Sequence, residues 1–234
     1  MGKALGAYLE GIDDIVLSAT LPSGQPLADF ISARPDAAVD LSAGPAVDGH
    51  GPAIVEAGIP YIIGATGFEA KTVDCLRKAS EQSGSPVLIV PNFSIGANLM
   101  IRFAAAASAM MDTPVITERH HAGKADAPSG TARFTAERIA AAMQRSKPLG
   151  SGKAAAESLP GVMGGELEGV RVHSLRGEGF LAEQEVLFSL PGETLRIEHR
   201  SIDYGCFMPG IVYAIRNIGK VQGLQVGLDT IMDV

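Results

Sequence analysis

Three short apolar runs, PDAAVDLS, YIIGATGF and PVLIVPNFS, recur between residues 35 and 94. Each is too short for a helix, and each ends in small or polar residues. Between them lie helical segments: GPAIVEAGIP, stopped by Gly58 and Pro60, and the amphipathic EAKTVDCLRKASEQSG. Upstream, DIVLSATL reads as a further strand and PSGQPLADFI as a turn followed by a short helix. The opening MGKALGAYLEG places Met1, Leu5, Tyr8 and Leu9 at helical spacing. Strand and helix alternating to about residue 93 predict parallel strands joined by crossover helices, an open α/β sheet.

The pattern then changes. IGANLMIRFAAAASAMM is a long alanine-rich helix, PVITERHH a strand, and SGTARFTAERIAAAMQRS a helix. SKPLGSGKAAAESLPGVMGGE is rich in Gly, Ser, Ala and Lys and predicts a long mobile loop. GVRVHSLR, AEQEVLFSL and ETLRIEHRS are strands, the last two joined by a Pro191-Gly192 hairpin signal. This half predicts an antiparallel or mixed sheet with helices on one face. The helical GIVYAIRNIGKVQG is expected to pack back on the first half. The predicted organisation is residues 1–93 with 206–234 as one domain and 94–205 as a second.

Composition narrows the function classes. A net charge of −7, with no basic run longer than two residues, argues against nucleic-acid binding. No apolar run approaches the ~20 residues of a membrane span. MGKALGAYLEGIDD lacks the basic-then-apolar layout of a secretory signal. Cys75 and Cys206 lie in unrelated contexts, which predicts neither a disulfide framework nor a metal site. A cytoplasmic protein without nucleic-acid or membrane partners is expected.

The chemistry concentrates in ERHHAGKADAPSGTA, residues 118–132. His120, His121 and Lys124 fall where a strand, expected to end near Glu118, becomes a loop, and such edges gather sites. His and Lys are general acids, and Lys adds fixed positive charge. Ser129, Gly130 and Thr131 then open a helix, whose backbone N–H groups and dipole favour a carboxylate or phosphate. Together they point to a small anionic substrate that needs a proton. The same residues also read as a solvated loop, with Ser129 or Thr131 simply capping the helix. Successive strand histidines face opposite ways, which disfavours a metal site. The GATGF turn at 64–68 and VPNFS at 90–94 are two successive strand ends, each followed by a helix. They suggest one crevice shared by neighbouring loops.

In this order and spacing, ERHHAGKADAPSGTA, IGATGF and PNFSIGANLM resemble the dihydrodipicolinate reductase (4-hydroxy-tetrahydrodipicolinate reductase) family of lysine and diaminopimelate biosynthesis. GEGFLAEQEVLF and GLQVGLDTIMDV extend the resemblance over nearly the whole chain. It implies a Rossmann-like domain that binds NADPH or NADH and an α+β substrate domain that supplies homotetramer contacts. It implies His120 as proton donor and acceptor, Lys124 as proton donor, and His121, Gly130 and Thr131 as the groups that hold a dicarboxylate substrate. Gly64, Ala65 and Thr66 then match the turn beside the nicotinamide, and Val90, Pro91, Asn92 and Phe93 a second nicotinamide-side loop.

The sequence also departs from the family pattern. It opens on the helix that follows, in the family, a first strand and a glycine-rich turn ending G-R-M-G. That strand and turn, which cradle the cofactor pyrophosphate, are not among its residues. A Rossmann sheet without them is expected to lose interior pairing and expose apolar surface. SATLPSGQ has no acidic or basic residue for the adenosine ribose, and the segment between it and PDAAVDLS is shorter than usual. Ala65 replaces a common Thr, and Gln184 stands where the family often has His. The same acid cluster also suits a diverged homologue with weak or no dinucleotide binding. Such a protein would be a lyase, dehydratase or cyclase on a related carboxylate, or a non-catalytic binding protein.

Overall fold

A computed structural model describes residues 1–143 and 156–233. In chain order its helices and strands are α1 (Gly2–Leu9), α2 (Leu27–Ser32), β1 (Ala38–Asp40), α3 (Gly44–Glu56), β2 (Tyr61–Ile63), α4 (Ala70–Ser83), β3 (Val87–Ile89), α5 (Ile95–Ser108), β4 (Val115–His120), α6 (Gly130–Met143), β5 (Gly165–Leu167), β6 (Val170–Arg176), β7 (Ala182–Leu190), β8 (Glu193–Ser201), α7 (Met208–Asn217) and β9 (Leu224–Val226). Contacts divide them into two units, Met1–Phe93 with Phe207–Val234, and Ser94–Cys206.

The first unit is built on a parallel sheet in the order β1-β2-β3-β9. Every residue of β2 and β3 is buried, as expected when both faces of a parallel sheet are covered. Side-chain alternation splits the core accordingly. Ile62 and Leu88 pack with Leu5, Leu9, Ile211 and Leu228 on one face. Tyr61, Ile63, Val87 and Ile89 pack with Val47, Ile54, Leu76 and Ala79 on the other. Each such aliphatic side chain contributes roughly 1.5–3 kcal/mol on burial. The carboxyl-terminal α7 and β9 thus complete the layer begun by residues 1–93. Gly44 and Gly210 allow close approach of backbone to backbone. A Cβ on Gly44 would meet the Gly67 backbone at 2.2 Å, and one on Gly210 the Phe93 carbonyl at 1.7 Å.

The second unit holds a mixed sheet in the order β5-β6-β4-β7-β8, in which only β4 and β6 run parallel. Helices α5 and α6 cover one face, where Ala104, Ala132, Ala136 and Ile139 meet Ile116, Val172, Val186 and Phe188. Pro191-Gly192 turns β7 into β8, and Gly192 takes the positive φ of 90° that the two-residue turn requires.

Several local expectations are corrected. DIVLSATL is not a strand: it pairs with no ladder among the described residues, and Val16 and Leu17 are exposed. An apolar run becomes a strand only where a neighbour takes its N–H and C=O groups. The helix ending at Glu56 begins at Gly44, not near Gly51, because Pro45 occupies the first turn and Pro52 lies inside the helix. β4 runs to His120 instead of ending at Glu118. β9 was not anticipated, since three residues carry no readable period. Of the expected loop 146–166, residues 146–155 lie outside the described residues, while Gly165 and Glu166 belong to β5.

Candidate functional site

The second unit gathers His120, Glu118, Arg176 and Lys124 at one end of its sheet. Glu118 and His120 are two apart on β4, so the pleat turns both to the face that buries Ile116. Glu118 is fully buried. The β4–β6 register sets it opposite Ser174, and His120 opposite Arg176. Arg176 donates from both terminal nitrogens, at 3.0 Å to Oε1 and 3.1 Å to Oε2 of Glu118. His120 Nδ1 lies against Oε2, and the Ser129 N–H donates to Oε1 at 3.3 Å. Burial works against a charge on Glu118. Hydrogen bonds from His120, Arg176 and Ser174 outweigh it and hold the carboxyl at about 2.

The loop from His121 to Ser129 follows. Lys124 Nζ donates to Asp126 Oδ1 at 2.6 Å, and the Arg176 guanidinium donates to the Asp126 carbonyl at 2.6 Å. The Lys124 ammonium leads in drawing the Asp126 carboxyl below its usual range, and the Gly130 N–H adds to it. Ser129 is a true cap: its Oγ accepts from the Ala132 N–H at 3.1 Å. The start of α6 is therefore met in part by the chain's own carboxylates, Glu118 at Ser129 and Asp126 at Gly130. His121 is exposed. Gly130 and Thr131 are the first residues of α6.

The sequence alone gives no role to Glu118, Arg176, Ser174 or Asp126. The E-x-H spacing on a strand carried the signal for Glu118. Arg176 lies 58 residues away, and only strand register brings it in. Gln184, which replaces a frequent family His, is buried and donates to Thr135 Oγ1 at 2.8 Å. Among the described residues, no group of three or more His, Cys, Asp or Glu is arranged to hold a metal.

In the first unit, the two expected turns leave the carboxyl ends of the adjacent strands β2 and β3. Gly64 N–H donates to the Asp40 carbonyl at 2.8 Å and Val90 N–H to the Ile63 carbonyl at 2.7 Å. Ala65, Val90 and Phe93 are buried, Gly64 and Asn92 half-buried, and Thr66 and Pro91 exposed. A Cβ on Gly64 would lie 2.5 Å from the Phe93 ring, so the two turns pack tightly on each other. Both turns lie at the carboxyl edge of a parallel sheet, the edge where open α/β folds bind their ligands.

Family models agree over nearly the whole chain: "Dihydrodipicolinate reductase, N-terminus" over residues 8–93 and "Dihydrodipicolinate reductase, C-terminus" over residues 96–232. The chain belongs to the dihydrodipicolinate reductase family. The family is one of NAD(P)H-dependent oxidoreductases, and its amino-terminal domain takes the nicotinamide cofactor. The 4-hydroxy-tetrahydrodipicolinate reductase of Nocardia farcinica (strain IFM 10152) is 43% identical over 100% of this chain and 95% of its own length. That of Mycobacterium marinum (strain ATCC BAA-535 / M) is 37% identical over the same shares. A dipicolinate-bound dihydrodipicolinate reductase from Paenisporosarcina sp. TG-14 superposes with a TM-score of 0.79 at 31% identity. That match covers 96% of this chain and 84% of the other. No described helix is long and apolar enough to cross a membrane.

Proposed function

We propose that this chain reduces 4-hydroxy-tetrahydrodipicolinate, a cyclic unsaturated dicarboxylate, to tetrahydrodipicolinate with NADPH or NADH, in lysine and diaminopimelate biosynthesis. The observation that carries the site assignment is the pairing of His120 with the buried, Arg176-bound Glu118, four residues before Lys124. Bound reduced nicotinamide would supply the hydride. Lys124 donates the one net proton, which leaves with the 4-hydroxyl as water, and His120 takes up and returns a proton at Nε2. His121 and the backbone of Gly130 and Thr131 hold the substrate carboxylates, as dipicolinate binding by the Paenisporosarcina relative supports. For a carboxylate to take the Gly130 N–H and for Lys124 to reach the substrate, Asp126 must yield both.

Gly64, Ala65, Thr66, Val90, Pro91, Asn92 and Phe93 flank the nicotinamide, so the first unit is the dinucleotide-binding domain. The second is the substrate-binding and oligomerisation domain of a cytoplasmic homotetramer. No observation favours the lyase, dehydratase or cyclase alternative.

Steady-state turnover with each nicotinamide tests the reading. One reduced nicotinamide is consumed per substrate, and no conversion occurs without it. His120→Ala and Lys124→Ala each lose about 10²–10⁴-fold in kcat. Conversion of substrate without dinucleotide would overturn the assignment.

A further inference from the structure

We infer that Glu118 is a positioning residue that sets the tautomer of His120 and fastens the loop carrying Lys124 to the end of β4. The inference rests on the reductase reading of the same site. Glu118 is ionised, so both of its oxygens accept and neither donates. The Nδ1 of His120 lies against Oε2, so Nδ1 must carry the hydrogen of that bond. The proton that His120 exchanges with substrate is then the one on Nε2. A carboxylate behind a histidine does this elsewhere in acid–base sites, where it orients the ring without itself accepting the proton.

Glu118 is itself held from three sides: Arg176 across the parallel ladder, Ser174 opposite it on β6, and the Ser129 N–H at the start of α6. Arg176 also binds the Asp126 carbonyl. One buried carboxylate thus ties together the strand that bears His120, the loop that bears Lys124 and the helix start that bears Gly130.

Two fixed donors, Arg176 and Ser129 N–H, meet Oε1, against one, Arg176, at Oε2 beside His120; the Ser174 hydroxyl, a rotatable donor, also meets the carboxyl. A glutamine at this position therefore leaves fewer fixed donors unmatched with its carbonyl in the Oε1 place and its NH₂ facing His120 Nδ1. A donor there demands a bare Nδ1, which moves the imidazole hydrogen to Nε2.

The test uses the full chain with ¹⁵N-labelled imidazoles, the His120 signals being assigned by their loss in His120→Asn. Neutral His120 is expected in the Nδ1–H form in the wild type and in the Nε2–H form in Glu118→Gln. The variant's kcat is expected to fall about a hundredfold or more, with the Kd for reduced nicotinamide unchanged. A wild-type His120 in the Nε2–H form overturns the inference without any variant. So does a folded Glu118→Gln protein that keeps the Nδ1–H form and its kcat. Neither result touches the reductase reading, which fails instead if the wild type does not oxidise nicotinamide with this substrate.

Discussion

Among the described residues two buried carboxylates face histidines, one in each unit, and they differ in what surrounds them. Asp40, the last residue of β1, is met by His50 Nε2 at 2.6 Å, Tyr61 Oη at 2.5 Å and both Ser42 N–H and Oγ. Burial opposes its charge, and hydrogen bonds from Ser42, Tyr61 and His50 still draw it below the usual carboxylate range. Burial, with the Asp40 charge, drives the Tyr61 hydroxyl strongly upward, so it stays a donor. These are mostly neutral donors on β2, on α3 and on the turn between β1 and α3, and they close the polar end of a strand. Glu118 instead has an arginine forked onto it, a helix start above it and a histidine at a loop edge. A buried carboxylate beside a histidine is therefore not in itself a catalytic signature. The fixed counter-charge and the connection to a loop of acids separate the site from the structural cluster.

The contrast can be broken in graded steps. The largest effect is expected from Arg176→Met, which leaves Glu118 buried without its counter-charge. Its loss should be about 3–5 kcal/mol, read by urea unfolding. His50→Ala should cost only ~1–2 kcal/mol, because Asp40 keeps its neutral donors.

Acid comes next. Glu118 titrates at about 2 in the folded chain, against 4.5 as its ordinary value. Its contribution, roughly 3 kcal/mol, is fully present above the ordinary value and is lost as pH falls toward 2. Unfolding measured across that window should show the slope, and Glu118→Gln should remove that part of it.

The smallest effect belongs to the exposed Asp126. Surface pairs of this kind are worth about 0–1 kcal/mol. Asp126→Asn should thus leave stability unchanged while lowering the KM for the dicarboxylate by a few-fold at most, since the Gly130 N–H is released to it.

The same contrast marks what could be read in the sequence. Alternation of apolar runs and helices disclosed the parallel sheet, because buried β2 and β3 are continuous apolar stretches bounded by turns. ERHHAGKADAPSGTA disclosed His120, Lys124 and the helix start, because these are neighbours in the chain. Glu118 stands in the same stretch, yet its role depends on Arg176, which strand register alone places beside it. DIVLSATL misled because apolar composition describes a segment's liking for a sheet and says nothing of whether a partner strand is there. β9 escaped because parallel pairing with β3, and not its own three residues, makes it a strand.

The most direct measurement compares kcat for nicotinamide-dependent reduction in folded Glu118→Gln and folded Asp40→Asn. Glu118→Gln should lose about a hundredfold or more, while Asp40→Asn should lose stability and keep kcat within about twofold. Equal losses in the two variants, or a Glu118→Gln protein as fast as wild type, would contradict the division of labour between the two carboxylates.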